Sequence, residues 1–275
     1  KAKWRAAELT NTRMTWKGKS CAFGVGSQCE VRGTSFLDEE PPDERFRDAV
    51  VVRGKIDTSA GLTVQGWMLF PTMLRDMMFE PKTPGKVRKG TDLLSGGTTV
   101  AARSKAEAYW DLGDYYCAYP DMSVSGGKGA KIRWDWAECL TDANGRKGDR
   151  AAFEGLDMMR PFGDVFLPDG RSDARFTTPW WRAGKWCRIT VETADEPVFI
   201  RKIGIAETRY PVNLEAKFEC DDPFIAAVQR PCARSLQMCM HEMFFDCPYY
   251  EQQMYPGDSR LQFLVADLFD REHRM

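Results

Sequence analysis

Residues 130–136 alternate strictly. Ala130, Ile132, Trp134 and Trp136 take one set of positions, and Lys131, Arg133 and Asp135 take the other. A period of two puts the sets on opposite faces of a strand, so this stretch predicts a sheet with one apolar face. Gly126-Gly127-Lys128-Gly129 lies just before it, preceded by 109–120 and Met122-Ser123-Val124-Ser125. That order predicts strands paired antiparallel across a glycine turn. Residues 185–192 and 198–205, separated by Ala194-Asp195-Glu196-Pro197, read as two more alternating strands and a turn. Residues 49–56 and 62–70 read as a further hairpin, and 164–167 as a short strand. Residues 1–47 are polar and irregular, and much of 71–108 reads as loop. Asp111 and Asp114 read as ordinary turn residues. Trp180 and Trp181 read as structural rather than ligand-binding.

The period changes after about residue 213. Asp222-Pro223 is a helix start, with aspartate as cap and proline in the first turn. Ile225, Val228, Cys232, Leu236, Cys239, Met240 and Met243 follow at helical spacing and predict a core stripe, which Pro231 should kink or split. Leu261, Leu264, Val265, Leu268 and Phe269 mark a second apolar helical face. Between the two, Pro248 biases Cys247 away from helix, which places the upstream helix end near Asp246. Pro256-Gly257 reads as a turn. The segment pinned between the helices carries Asp246, Glu251 and Asp258 among Tyr249, Tyr250 and Tyr255. Paired carboxylates serve glycoside hydrolysis as acid and as base or nucleophile. On the residues alone a plainer reading stays open. Ser259-Arg260-Leu261-Gln262 fits a capping box, which would leave Asp258 as part of an acidic helix start and Asp246 as a solvated helix end.

The string Asp246-Cys247-Pro248, Glu251, Gly257-Asp258 resembles the signature of bacterial α-L-rhamnosidases of the six-hairpin, (α/α)6-barrel type. The resemblance implies a mainly β chain with a C-terminal α part. An antiparallel β-sandwich (1–212) would be followed by the first helical hairpin of the barrel (213–275), truncated. It implies an inverting glycosidase that removes terminal non-reducing α-L-rhamnose from glycans or glycosides. Glu251 would be the general acid, and Asp246 and Asp258 would bind sugar hydroxyls. Many members carry Trp-Thr where this chain has Tyr255-Pro256, so Tyr255 takes the aromatic contact. The family's general base, a second glutamate, lies on a later hairpin, so the 275 residues alone are expected to be an inactive fragment. Residues 207–211 also resemble the end of the family's sandwich. The resemblance implies no cofactor.

Charge and cysteine usage narrow the partners. With 39 basic and 40 acidic residues, nothing points to nucleic acid or an anionic membrane. No stretch is apolar enough to span a bilayer. Nine scattered cysteines without C-x-x-C, and only His241 and His273, argue against a zinc site, and no metal is expected. They favour free thiols and, slightly, a cytoplasmic over a secreted or periplasmic location. The chain opens on Lys1, which leaves a lost leader open, as homo-oligomer formation is left open. The alternative function is a non-catalytic carbohydrate-binding β-sandwich module. A cysteine hydrolase using Cys247 and His241 is disfavoured, because the two are six residues apart across a helix end and nothing marks an orienting third group.

Overall fold

The computed structural model describes residues 3–15, 27–50, 72–149, 152–213 and 216–275. The hairpin expected at 49–56 and 62–70 lies outside these, except for Ala49 and Val50. The described strands are β1 (Arg5–Ala6), β2 (Thr12–Thr15), β3 (Gln28–Arg32), β4 (Arg47–Asp48), β5 (Glu80–Lys82), β6 (Lys86–Gly90), β7 (Thr98–Val100), β8 (Lys105–Gly126), β9 (Lys131–Ala137), β10 (Leu140–Thr141), β11 (Asp157–Met158), β12 (Phe162–Leu167), β13 (Ala174–Phe176), β14 (Arg182–Glu192) and β15 (Val198–Glu207). Two helices follow, α1 (Pro223–Met238) and α2 (Pro256–Asp270).

Strand β8 organises the sheet. Its 22 residues would span about 70 Å if straight. Yet β14 ends with Glu192 opposite Lys105, and β15 begins with Val198 opposite Gly126. The short connection 193–197 reaches only about 20 Å, so β8 must fold back on itself. Gly113, at φ +79°, gives the bend a conformation that a side chain would strain. A register shift between Gly184 and Trp186 answers it on β14. The N-terminal half of β8 pairs with β14 and β6, and the C-terminal half with β15 and β13. The result is two layers sharing one strand. The first continues from β14 through β9, β12 and β3 to β2, with β12 and β3 parallel.

The layers meet through aromatic rings. Phe176 of β13 stacks on Phe166 of β12 at 5.2 Å and lies 6.4 Å from Trp134 of β9. Trp134 in turn faces Trp110 and Trp136, all three fully buried. The alternating strand thus buries the expected face, and the chain is mainly β with a C-terminal helical part.

The expected pairings change. β9 does not pair with β8 across the glycine turn; β14 lies between them. Likewise β14 and β15 flank β8 instead of forming a hairpin. Both connections step between layers, where tight turns were expected. Stretches expected to be irregular contain β3, which buries Cys29 and Val31, and the short strands β5, β6 and β7. Asp135, assigned to the polar face, is buried and ion-paired with Arg133 and Arg188. Asp111 does accept a turn-like bond from the Gly113 N–H at 2.9 Å, but it lies in β8, buried against Lys185 and Arg88.

In the helical part, Asp222 caps α1 by accepting from the Phe224 N–H at 2.8 Å. The helix runs on through Pro231 without splitting and stops at Met238, well before Asp246. Tertiary bonds pull the chain off the helical path. The Tyr210 N–H donates to Met240 O, and the Phe245 N–H to Cys239 O, each at 2.7 Å. Met240 and Phe244 enter a small core with Tyr210, Val212, Leu236 and Ala266, while Phe245 and Tyr249 join the sandwich core. The proposed capping box does not form. Proline at the first helical position starts α2 at Pro256, and the Ser259 hydroxyl is buried inside the helix without a partner. Pro256-Gly257 is therefore helix, not turn. The helical stripes are only partly core, since Ile225, Val228, Met243, Leu261, Leu264, Val265 and Leu268 are exposed. No helix among the described residues is long and apolar enough to cross a membrane.

Candidate active site

The loop between α1 and α2 is held by the sandwich, by α2 and by bonds of its own. The Tyr249 hydroxyl donates to one and lies within bonding distance of both of two sandwich carbonyls, Trp136 O at 2.9 Å and Arg160 O at 3.0 Å. The Gln262 amide donates to Phe245 O at 2.7 Å, which fixes the loop to α2. Within the loop, the Asp246 N–H donates to Gln253 O and the Gln252 N–H to Cys247 O, each at 3.0 Å. These bonds draw the two ends of 246–253 together, although the sequence separates them.

That closure gathers the expected side chains. Asp246, Cys247 and Glu251 each place one ligand-type atom within 4.8 Å of the others. A hydrogen bond between the Asp246 and Glu251 carboxyls accounts for the close approach, and the Glu251 N–H donates to the Cys247 sulfur at 3.3 Å. Glu251 also hydrogen-bonds Tyr255. Asp258 sits in the first turn of α2, near enough for its charge to act on Glu251. All four expected residues therefore belong to one cluster, with Asp246 and Asp258 exposed and Glu251 and Tyr255 half-buried.

The electrostatics follow from this crowding. The Glu251 pKa is raised, first by the hydrogen bond shared with Asp246, then by desolvation and the Asp246 charge, against an opposing bond from Tyr255. Two carboxyls in contact resist holding two negative charges, which is why the shift is upward. The Tyr255 hydroxyl is also raised, by desolvation first and then by Glu251. The cluster thus sets two carboxyls in contact beside an aromatic ring.

Cys247 and His241 show no activation. Burial raises the Cys247 thiol. His241 is buried, its ring stacked on Trp181 at 4.1 Å and 6°, with neither nitrogen in hydrogen-bond geometry with a partner. Burial holds its pKa down to about 4, so the ring is neutral near pH 7. The eight described cysteines are free.

Two residues near the cluster were not anticipated. Trp180, 41% exposed, donates its indole N–H to the Gln252 side chain, whereas Trp181 is buried as expected of a structural residue. Gln252 has φ +44°, a backbone conformation uncommon outside glycine and asparagine. No sequence pattern marked either role, because the contact spans 72 residues. A cleft of about 740 Å³ between the sandwich and α1 touches the loop through Cys239 and Pro248 but does not include Glu251, Asp246 or Asp258.

The class that this architecture defines is a two-layer sandwich leading into a helical pair, with paired carboxyls on the connecting loop. Residues 214–275 match the family model described as the bacterial alpha-L-rhamnosidase six-hairpin glycosidase domain. Among solved structures, it is similar to a GH78 family rhamnosidase of Bacillus sp. GL1 (24% identity, TM-score 0.53, 64% of this chain and 17% of that one). It is also similar to a rhamnosidase from Klebsiella oxytoca with rhamnose bound (16% identity, TM-score 0.55, 72% of this chain and 42% of that one). These likenesses show the fold, and the chain spans less than half the length of either structure. No curated protein matches the sequence.

Proposed function

We propose that these residues form the sandwich (1–212) and the first helical hairpin (213–275) of an inverting α-L-rhamnosidase, acting on terminal non-reducing α-L-rhamnose of glycans or glycosides. The carrying observation is the hydrogen bond between Asp246 and Glu251, which favours a protonated Glu251. Glu251 gives its proton to the glycosidic oxygen as the sugar leaves. Asp246 and Asp258 accept hydrogen bonds from sugar hydroxyls, and Tyr255 contacts the ring.

Inversion requires a second carboxylate on the opposite face, roughly 6.5–9.5 Å from the acid, with a water between them. Asp246 touches Glu251 and leaves no such gap. In this reading the base comes from residues beyond these 275, consistent with the small share of the rhamnosidase structures that they cover. The 275 residues alone then bind sugar weakly and do not turn it over.

The test is Glu251→Gln in the enzyme with its complete catalytic domain. Hydrolysis of rhamnosides with poor leaving groups should fall by about 100-fold or more, the scale of general acid catalysis. A variant retaining near-normal activity on those substrates would remove Glu251 from the acid role.

A further inference from the structure

The sandwich reaches the acidic loop at Trp180. Its indole N–H donates to Gln252 Oε1, while the Gln252 amide nitrogen donates to Pro248 O at 3.0 Å. The Gln252 side chain is therefore committed at both ends, once to the sandwich and once to its own loop. Its backbone N–H is committed as well, to Cys247 O at 3.0 Å. The backbone at Gln252 holds φ +44°, an arrangement that persists when surrounding contacts enforce it. Glu251 is the next residue, so its orientation depends on this constraint. Trp180 itself is braced, stacking on Trp181 at 6.0 Å and 18°, and Trp181 stacks on buried His241.

We infer that Trp180 and Gln252 are positioning residues: the indole of the sandwich holds the loop in the shape that aims the Glu251 carboxyl at the departing oxygen. The inference rests on the glycosidase reading of Glu251. It makes the sandwich a working part of the acid's geometry rather than a separate carbohydrate-binding unit. Trp180 contributes by its N–H, not by its bulk.

The experiment uses the enzyme with its complete catalytic domain and the variants Trp180→Phe, which keeps a ring but not the donor, and Gln252→Ala. Each is assayed on two rhamnosides: 2,4-dinitrophenyl rhamnoside, whose leaving group needs little protonation, and an alkyl rhamnoside, whose leaving group needs it fully. Displacing a catalytic group by a fraction of an ångström costs roughly tenfold or more in rate. The expected result is about a tenfold loss of kcat on the alkyl substrate with kcat on the dinitrophenyl substrate nearly unchanged. The double variant should be no worse than Gln252→Ala alone, since that variant already removes the contact with Trp180. Equal losses on both substrates would show a folding or general packing effect and overturn the inference, as would unchanged kinetics on both. Absence of rhamnosidase activity in the unaltered enzyme would instead remove the underlying glycosidase reading.

Discussion

The Arg182 guanidinium meets the Asp164 carboxylate through two hydrogen bonds, Nε to Oδ2 at 2.8 Å and a terminal nitrogen to Oδ1 at 2.6 Å, with both side chains buried. Asp164 also accepts from the Cys29 N–H at 2.8 Å, so one carboxylate joins β12, β14 and β3. Removing one member leaves a buried, uncompensated charge. Asp164→Ala should lower unfolding free energy by about 3–5 kcal/mol, read from urea denaturation. Replacing both residues, as in Asp164→Leu with Arg182→Met, should cost less than Asp164→Ala alone. A double variant at least as unstable as the single one would mean the pair contributes more than its desolvation costs.

His241 predicts an acid-sensitive fold. An unfolded histidine takes a proton near pH 6.5, while burial delays this to about 4 in the folded chain. The unfolded state therefore binds more protons between these values, and stability present above pH 6.5 is lost as pH falls toward 4. From pH 7 to pH 5 the loss is about 2 kcal/mol. His241→Phe, which preserves a ring against Trp181, should remove that part of the decline. Denaturation curves at the two pH values that shift equally for both proteins would contradict it. Glu272, held down to about 2 chiefly by Arg274, loses its own contribution mainly below pH 4.5, so it adds little between pH 7 and pH 5.

Asp246 should set the alkaline limb of the proposed reaction. Its hydrogen bond is the leading cause of the raised Glu251 pKa. Asp246→Asn removes the neighbouring charge, so Glu251 loses its proton at lower pH and the alkaline limb of kcat/KM moves to lower pH. The position of the limb can be read even where the maximum rate falls. A limb that stays in place or moves upward would dissociate the two carboxyls.

Tyr249 should anchor the loop to the sandwich. Its hydroxyl lies between Trp136 O and Arg160 O in a buried site. Tyr249→Phe leaves carbonyl groups without that partner and should cost about 1–3 kcal/mol. Proteolysis within 239–255 should quicken by more than cleavage elsewhere. Uniform quickening along the chain would place the effect in the core rather than the anchor.

What could be read ahead of the structure follows the range of the forces involved. The burial of Ile132, Trp134 and Trp136 was legible because alternation is local. Asp222 was legible as a cap for the same reason, and the grouping of Asp246, Glu251 and Asp258 lay within one short segment. Strand partners were not legible. Nothing near Gly126–Gly129 says that β14 will come between β8 and β9, since that order depends on where 182–192 settles. The end of α1 was misplaced because Tyr210 captures Met240 from 30 positions away, overriding a helical pattern that continues to Met243. Ser259 fitted a cap by spacing, but Pro256 set the helix start first. The Trp180–Gln252 contact had no local signature at all.

The doubled-back course of β8 bears on how the protein comes apart. Neither layer can peel away as an independent foldon, because the same backbone supplies hydrogen bonds to both. Amide protons of Ile189, beneath one layer, and Ile205, beneath the other, should exchange through a common opening at similar free energies. Refolding should be slow for the same reason, since the strand's two ends find their places only after distant segments have closed around them. Such a frame gives the loop at its edge a stationary support.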